Sequence, residues 1–309
     1  MPKVDLALVV PCFNESETIS LFVDQVVPAL QSLEISSEVI FVDDGSDDNT
    51  WEILRELRNH PGVCISCIRF DRNYGQMAAL EAGIKASDSD YVLTIDVDLQ
   101  HPVRYIEAMW LIRKDYPVIA MRQSKRQDPL LKRLLSRVFY VILKKVTGYQ
   151  IIGGVSDFRL MSRRTVQRIT PLLRYGNVIR FLLPQLGIEQ KILDYEVDPR
   201  IAGKSKYSIK KMSLLAKNSF ISTSNRLLTL SIYLAGISIA FASIIFSYVV
   251  YVYFADKAIL GWASILGSVL VLFSGTFTIL AILGLYIGRI IDLLKDLPNF
   301  SVSSEYKND

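Results

Sequence analysis

The chain has 309 residues, of which 50% are hydrophobic and 21% are charged, and its formal net charge is +4. A chain of this length accommodates about two domains, and its apolar content excludes a disordered protein. Its three cysteines, Cys12, Cys64 and Cys67, are too few for a disulfide-stabilised scaffold.

Short β-branched runs alternate with helix-like segments from residue 6 to residue 121. This alternation predicts an α/β domain with a mostly parallel, doubly wound sheet, in which ligands bind beyond the carboxyl ends of the strands. The predicted strands are Leu6–Val10, Glu38–Val42, Val63–Phe70, Tyr91–Ile95 and Val118–Met121. The predicted helices are Ser16–Leu33, Asp48–Asn59, Tyr74–Ala86 and Val103–Lys114.

Acidic and small polar residues follow three of the predicted strands, in the segments PCFNE (11–15), DDGSDDNT (43–50) and DVDLQ (96–100). Each segment alone is also typical of turns and helix N-caps. Asp96 and Asp98 are two residues apart at a strand end, so in an extended chain they share one face. Two such carboxylates suit Mg²⁺ or Mn²⁺ that also contacts a diphosphate. This arrangement is typical of a sugar-nucleotide transferase.

Two long stretches without a charged side chain follow the α/β part, at 227–255 and 258–288. About 20 apolar residues cross a bilayer core, so the two stretches predict a hairpin of transmembrane helices. Residues 199–226 carry seven basic and no acidic side chains, whereas the connecting loop has only Lys257. The positive-inside rule therefore places both termini in the cytoplasm. Residues 207–225 have the pattern of an amphipathic interfacial helix.

The motifs PCFNE, VDDGSDDNT, RNYGQMAALEAGI, DVDLQHP, SDFRLMSRR and RIAGKSKY occur in this order ahead of the apolar stretches. The set resembles the polyisoprenyl-phosphate glycosyltransferases of family 2, which include dolichol-phosphate mannose synthase and, most similar, bacterial undecaprenyl-phosphate glucosyltransferases. The resemblance implies an α/β, Rossmann-like A-type glycosyltransferase fold with a mostly parallel sheet, then amphipathic juxtamembrane helices and two transmembrane helices. The implied parts are a cytosolic glycosyltransferase domain (1–198), a basic juxtamembrane segment (199–226), a transmembrane hairpin (227–289) and a cytosolic tail (290–309).

The resemblance also implies roles for individual residues. Asp98 and Asp157 are the implied catalytic residues, and Asp157 is either a base or a carboxylate that positions the acceptor. Nucleotide-sugar binding is implied for Pro11, Phe13, Glu15, Asp43, Asp44, Asp96 and Gln100, and metal binding for Asp96, Asp98 and Gln100. Contact with phosphate or the acceptor is implied for Arg122, Arg126, Arg137, Arg200, Lys204 and Ser205.

The implied reaction transfers a hexose with inversion onto a polyisoprenyl phosphate at the plasma membrane, with Mg²⁺ or Mn²⁺ as cofactor. UDP-glucose is the first choice of donor and undecaprenyl phosphate of acceptor, and GDP-mannose, UDP-galactose and aminosugar nucleotides stay open as donors. Small residues in the apolar stretches allow a homo-oligomer. A nucleic-acid partner is disfavoured because the basic stretches lie beside the membrane and lack interleaved aromatic residues.

Three rival functions can be weighed on sequence. A processive polysaccharide synthase is disfavoured because no Arg-Trp pair occurs in the chain and two spans are too few for a polymer channel. Asp96, Asp98 and Asp157 argue against a non-enzymatic membrane scaffold, and a lipid flippase subunit needs no Asp-x-Asp motif. Nicotinamide-binding and P-loop proteins are disfavoured because their glycine motifs are missing from the sequence.

Overall fold

The computed structural model describes residues 4–57, 60–123, 152–173, 178–196, 262–294 and 298–306, together with single positions between 233 and 251. The chain divides into two compact units. One unit contains the α/β part together with residues 298–306, and the other contains the long apolar helix over 262–294.

The described residues of the α/β unit form a sheet of eight strands. In chain order they are β1 (Val4–Cys12), β2 (Ser37–Asp43), β3 (Cys64–Phe70), β4 (Ser89–Thr94), β5 (Val118–Gln123), β6 (Val155–Ser162), β7 (Lys191–Tyr195) and β8 (Val302–Tyr306). Their order across the sheet is β7-β5-β6-β4-β1-β2-β3-β8. The five strands predicted from sequence correspond to β1–β5, and the mostly parallel α/β sheet is confirmed.

Two strands of the sheet run against the others. β1 pairs in parallel with β2 and β4, and β2 pairs in parallel with β3. β6 is antiparallel to β4 and β5, and β8 is antiparallel to β3. An antiparallel strand begins where its parallel neighbour ends, so the first residues of β6 and β8 lie at the same rim as the carboxyl ends of the parallel strands.

The described residues of this unit also form six helices. They are α1 (Ile19–Gln31), α2 (Thr50–Leu57), α3 (Gln76–Ala86), α4 (Tyr105–Leu111), α5 (Arg163–Leu173) and α6 (Ile179–Gln185). The first four confirm the predicted helices and are two or three residues shorter at most of their ends. The last two helices, like β6, β7 and β8, were not predicted from the sequence.

Apolar packing on both faces of the sheet supports the rim. Leu6, Leu8 and Val10 of β1 pack with α1, α2 and α4 on one face, and Val9 packs with α3, α5 and α6 on the other. A strand covered on both faces is apolar throughout, which explains why β1 reads as a continuous hydrophobic run. Gly83 allows α3 to approach the sheet, because a Cβ at this position would clash with Val9 Cγ1.

The second unit contains α7 (Trp262–Leu294), which is 33 residues long. Its segment Val271–Gly288 is the one stretch among the described residues that is long and apolar enough to cross a membrane. The described positions between 233 and 251 are helical, and a Cβ at Gly275 would lie 2.7 Å from Ser238 Oγ. The predicted first span, 227–255, lies largely outside the described residues, so the structure supports one of the two predicted spans.

The segment predicted as a cytosolic tail, 290–309, contributes β8 to the edge of the sheet. The α/β unit is therefore built from two separated parts of the chain, one before and one after α7. Apolar periodicity gave no sign of this strand, because β8 is short and polar and its described side chains are exposed or half-buried.

Candidate active site

The rim over β1 and β2 is built from carboxylates and backbone amides. Asp43 ends β2 and is fully buried, and its Oδ1 accepts a hydrogen bond from Ser46 N at 3.0 Å. Ser46 Oγ in turn accepts from Asn14 N at 2.9 Å, which joins the loops after the two strands. Asn14 adopts a φ of 54°, a left-handed conformation that asparagine tolerates better than most residues.

The second oxygen of Asp43 is buried beside Arg69. Asp43 Oδ2 is buried and makes no hydrogen bond to a described residue, although Arg69 Nε lies 3.4 Å away. Burial raises the pKa of Asp43, and the hydrogen bonds from Ser46 and the charge of Arg69 offset part of that effect. A buried carboxylate oxygen without a donor loses hydration, so a donor group from a ligand would stabilise it.

Asp44 holds the start of α3. Its carboxylate accepts hydrogen bonds from Tyr74 N at 2.7 Å and from Gly75 N at 2.8 Å. Gly75 is the residue before α3 and has a φ of 97°, which favours glycine. Burial raises the pKa of Asp44 to about 6 despite these hydrogen bonds. Asp44, predicted to bind the nucleotide sugar, thus fixes the local fold beside the cleft.

Of the other residues predicted on this side, Phe13 lines a cleft, whereas Pro11 and Glu15 are not among its lining residues. Pro11 is half-buried in β1 opposite Val42, and Glu15 Oε2 accepts a hydrogen bond from Thr18 Oγ1 at 2.9 Å. Phe13 is half-buried and contributes to a cleft of about 700 Å³. The cleft is lined by Phe13, Gly45, Ser46, Asp47, Arg69, Phe70, Asp71, Arg72, Asn73, Ser303 and Ser304.

Asp96 and Asp98 follow β4 on a tight turn in which Leu99 has a φ of 58°. Asp96 Oδ1 accepts a hydrogen bond from Gln76 Nε2 at 2.7 Å, and Asp98 Oδ1 accepts one from Gln100 N at 3.1 Å. Burial raises the pKa of Asp96 to about 6, and the nearby Asp157 and Asp98 add to the rise. Carboxylates that raise one another's pKa favour a cation between them.

His101 packs against the turn that carries Asp96 and Asp98. It is buried, its ring stacks on Phe158 at a centroid distance of 5.2 Å, and its Nδ1 lies 3.4 Å from Asp96 N and 3.8 Å from Asp96 Oδ2. The imidazole therefore contacts Asp96 while being packed among aromatic rings, so it positions the carboxylate.

The donor set at this turn suits Mg²⁺ or Mn²⁺. Among the described residues no three His, Cys, Asp or Glu side chains converge as a complete metal site. Mg²⁺ is usually held by one or two carboxylates together with substrate phosphates and water, so a complete protein cage is not required. The partly exposed side chain of Asp96, with Asp98 two residues away, fits that pattern.

Asp157 lies near the start of β6 and is clamped by two arginines. Its side chain is 11% exposed; Oδ2 accepts from Arg180 Nη2 at 2.9 Å, and Oδ1 lies 3.3 Å from Arg159 Nη2. Burial alone would raise the pKa of Asp157, but the charges of Arg180 and Arg159 outweigh it and the pKa lies below its ordinary value. Asp157 is therefore a stable anion at neutral pH.

Arg159 is fully buried, and burial lowers its pKa to about 10 although Asp157 opposes the shift. Its Nη2 also donates to Ser156 O at 2.7 Å. Because the pKa stays far above neutral, Arg159 is charged and locks the backbone and side chain at the start of β6. The pair of arginines gives Asp157 one orientation at the rim.

The structure gives one of the predicted phosphate-binding residues a partner of its own. Arg122 forms a bidentate ion pair with Asp194, with Nε to Oδ1 at 2.6 Å and Nη2 to Oδ2 at 2.9 Å. Both side chains are partly exposed, so a phosphate would compete with Asp194 for the guanidinium. The other predicted contacts, Arg126, Arg137, Arg200, Lys204 and Ser205, lie outside the described residues.

Several residues at the rim were not predicted from the sequence. Gln76 and Arg180 reach Asp96 and Asp157 from helices far along the chain, and no local pattern announces such contacts. A signal existed for Arg180, since it is the lone charged residue in the apolar run 178–183. Arg69 and Arg72 gave no such signal, and Ser303 and Ser304 belong to the strand that was missed.

Comparison with known proteins places this arrangement in a family. The family model for glycosyl transferase family 2 matches residues 7–170. The SfII prophage-derived bactoprenol glucosyl transferase of Shigella flexneri is 32% identical over 311 residues, which cover 98% of this chain and 99% of that protein. An uncharacterized glycosyltransferase, YkcC, of Bacillus subtilis (strain 168) is 32% identical over 310 residues, which cover 98% and 94%.

Among solved structures, glucosyl-3-phosphoglycerate synthase from Mycobacterium tuberculosis, in complex with Mn²⁺, UDP-glucose and phosphoglyceric acid, aligns with a TM-score of 0.48 and 16% identity. The alignment covers 71% of this chain and 78% of that chain. The family match and the nearly full-length relatives agree with the resemblance drawn from the sequence motifs. The chain is a glycosyltransferase and belongs to glycosyl transferase family 2.

Proposed function

We propose that this glycosyltransferase moves glucose from UDP-glucose onto undecaprenyl phosphate and so makes a lipid-linked monosaccharide. The observation that carries the proposal is the 32% identity to a bactoprenol glucosyl transferase over nearly the whole length of both chains. Bactoprenol is a polyisoprenyl alcohol, and the same name recurs for relatives in Shigella phages and Escherichia coli.

The rim offers separate places for the two ends of the donor. The cleft beside Phe13 has an aromatic face, two arginines and serine hydroxyls, which suit a base, a ribose and their phosphates. Asp96 and Asp98 lie after β4, and a divalent cation held there would offset the charge of the diphosphate as it leaves. The protein's own residues bind and orient the donor between these places.

The acceptor oxygen then attacks the anomeric carbon in line. A bond forms between a phosphate oxygen of the lipid and that carbon, the bond from the carbon to the diphosphate breaks, and UDP leaves with the electron pair. The second pKa of a phosphomonoester is about 6, so the acceptor is mostly dianionic near neutral pH and needs no base. Asp157, clamped by Arg159 and Arg180 and ionised, positions the acceptor side of the site.

Chain connectivity supports a hairpin in the membrane. β7 ends at Tyr195 and β8 begins at Val302, yet both belong to one sheet, so the chain between them leaves the sheet and returns. If α7 crosses the bilayer, an even number of crossings is required. The apolar stretch 227–255 supplies the second crossing, and the basic residues of 199–226 place the α/β unit and both termini in the cytoplasm.

The proposal is tested by a transfer assay with the full-length protein purified in detergent. Labelled UDP-glucose, GDP-mannose, UDP-galactose and UDP-N-acetylglucosamine are each offered with undecaprenyl phosphate and Mg²⁺ or Mn²⁺. We expect lipid-extractable label from UDP-glucose, and none from UDP-glucose when EDTA is added or when the alcohol replaces the lipid phosphate. A clear preference for another nucleotide sugar would move the donor assignment, and no transfer from any of them would overturn the proposal.

A further inference from the structure

The segment that follows α7 in the chain is tied to the nucleotide side of the sheet. β8 pairs antiparallel with β3, with Tyr306 opposite Cys67 and Ser304 opposite Arg69. The register shifts between Arg69 and Phe70, at the end of β3 that faces the rim. Ser303 Oγ donates to Arg69 O at 3.2 Å beside this irregularity. The start of β8 therefore lies at the rim, and its register is fixed there.

Aromatic contacts hold both ends of the segment. Phe300 stacks on Phe70 with a centroid distance of 4.8 Å and an interplanar angle of 18°. Tyr306 stacks on Trp51 at 5.6 Å. An edge strand of five residues gains little stability from backbone pairing alone, and two aromatic pairs anchor it. β8 is thus a fixed wall of the α/β unit.

β8 borders the cleft that Phe13 also lines. Ser303 and Ser304 line the same cleft as Phe13 and Ser46 on one side and Arg69 and Arg72 at the end of β3. The cleft then has an aromatic face, three serines, two arginines and two aspartates, which come from β3 and β8 and from the loops after β1, β2 and β3. Hydroxyls donate and accept hydrogen bonds, as the edge of a nucleobase and a ribose require.

We infer that β8 forms one wall of the site for the nucleoside part of the donor, with the strand bordering that nucleoside at Ser303 and Ser304. The inference rests on the proposed function, which supplies a nucleoside diphosphate as ligand, and it adds a part of the chain that lies beyond the family match at 7–170. The donor site is complete only after the chain has passed through α7 and returned to the sheet. A chain that ends before β8 lacks this wall.

Cysteine protection tests the inference on the full-length protein. Cys12 and Cys67 are buried and Cys64 is half-buried, so Ser303→Cys is made in a Cys64→Ser background to keep native labelling low. Val302→Cys in the same background is the matched control, because Val302 is an exposed neighbour in β8 that does not line the cleft. A maleimide reagent is added with and without saturating UDP, UMP, GDP or GMP.

We expect UDP and UMP to slow labelling of the Ser303→Cys variant at least tenfold and labelling of the Val302→Cys variant less than twofold. Protection by UMP assigns the effect to the nucleoside end of the ligand. In a second measurement, Ser303→Trp places an indole in the cleft and is expected to raise the Kd for UDP at least tenfold. Its thermal unfolding midpoint is compared with that of wild type, and the exposed position of Ser303 leaves the core unchanged.

The outcomes separate this inference from the proposed function. If wild type binds UDP and transfers glucose, but UDP does not change labelling of Ser303→Cys, the inference alone is overturned. If wild type binds GDP rather than UDP, the donor assignment falls while protection by GDP still supports the role of β8. If wild type binds no nucleotide, both are overturned.

Discussion

The two sides of the rim hold their carboxylates in different ways. On the donor-side rim, formed by the strand ends that carry Phe13, Asp43, Asp44 and Arg69, backbone amides satisfy most of the acidic oxygens. Asp44 accepts from two consecutive amides, and Asp43 accepts from the amide three residues on. Because these donors are backbone amides of the loops after β2 and β3, this side is shaped mainly by loop geometry.

On the transfer-side rim, formed around Asp96, Asp98 and Asp157, side chains donate to Asp96 and Asp157, and the backbone amide of Gln100 donates to Asp98. Gln76 holds Asp96, while Arg159 and Arg180 hold Asp157. The charge states of the two acids also differ: burial raises the pKa of Asp96, whereas the charges of Arg180 and Arg159 lower that of Asp157. The comparison teaches that the donor side is built for shape and the transfer side for charge, and substitution can separate the two.

The largest effect is expected from Asp98→Ala. If Asp98 holds the metal as proposed, its loss removes several kcal/mol of transition-state stabilisation, and about 1.4 kcal/mol is tenfold in rate, so transfer should fall at least about 100-fold. Transfer of labelled glucose to undecaprenyl phosphate measures the loss. Asp88→Ala, which removes an exposed carboxylate paired with Arg163, is the control and should keep near wild-type activity. An Asp98→Ala protein with more than a tenth of wild-type turnover would contradict the proposal that Asp98 holds a cation needed for transfer.

A smaller but still large loss is expected from Asp157→Asn. The substitution keeps the shape and removes the charge that two arginines hold, and misplacement by about 1 Å can cost on the order of 100-fold. Because Asp157 is ionised throughout the working pH range and Asp96 is ionised above pH 7, the ratio of wild-type to variant kcat/KM should stay constant between pH 7 and 9. A ratio that shrinks as pH rises would instead identify Asp157 as a base.

Arg180→Ala is the companion change on the same ion pair, and Arg168→Ala is its control, since Arg168 donates only to the exposed Leu186 carbonyl among its described contacts. We expect Arg180→Ala to lower kcat/KM about tenfold to 100-fold and Arg180→Lys to recover part of it. Failure of Arg180→Lys to recover any activity, with an unchanged unfolding midpoint, would favour a bidentate contact that only arginine can make.

The difference between the two sides also explains what the sequence could predict. Apolar runs are local, so β1–β5 and α1–α4 were predicted from pattern alone. β6 carries Asp157 and the fully buried Arg159. These charged residues interrupt its apolar pattern, so the strand was not predicted. β8 is a polar edge strand whose place depends on aromatic partners about 230 residues away, which no local pattern reveals.

The residues of the candidate site also divide into those that the sequence predicted and those that it did not. Asp43, Asp96 and Asp98 were predicted because they follow strands, and the carboxyl ends of parallel strands meet by topology. Gln76 and Arg180, which donate to Asp96 and Asp157, were not predicted, because no local sequence pattern links either side chain to its carboxylate. The division of labour between Asp44, which fixes α3, and Asp43, which keeps one oxygen without a hydrogen bond to the described residues, becomes visible only from the hydrogen bonds.

Donor binding should depend on pH through Asp96. Burial raises its pKa to about 6, so the carboxyl is protonated below pH 6 and ionised above it. A cation binds only the ionised form, so affinity for Mn²⁺ and UDP-glucose should fall about tenfold per pH unit below 6 and be flat above 7. Titration calorimetry with UDP-glucose measures this, because its diphosphate, unlike that of UDP, has no ionisation near pH 6. The Asp96→Asn variant should bind weakly at every pH, and equal wild-type affinity at pH 5 and pH 7 would refute the assignment.

The smallest effects concern Arg122 and Asp194, where the transfer side meets solvent. An exposed ion pair contributes at most about 1 kcal/mol to stability, so neither Arg122→Ala nor Asp194→Ala should shift the unfolding midpoint by more than a few degrees. Their effects on the acceptor should differ in sign. Asp194 competes with a phosphate for the guanidinium, so Asp194→Ala should lower the KM for undecaprenyl phosphate about twofold to threefold, whereas Arg122→Ala should raise it by a similar factor. If both substitutions change KM in the same direction, the ion pair only joins the ends of β5 and β7 and does not bind the acceptor. The charges that act in transfer are then those of Asp96, Asp98 and Asp157.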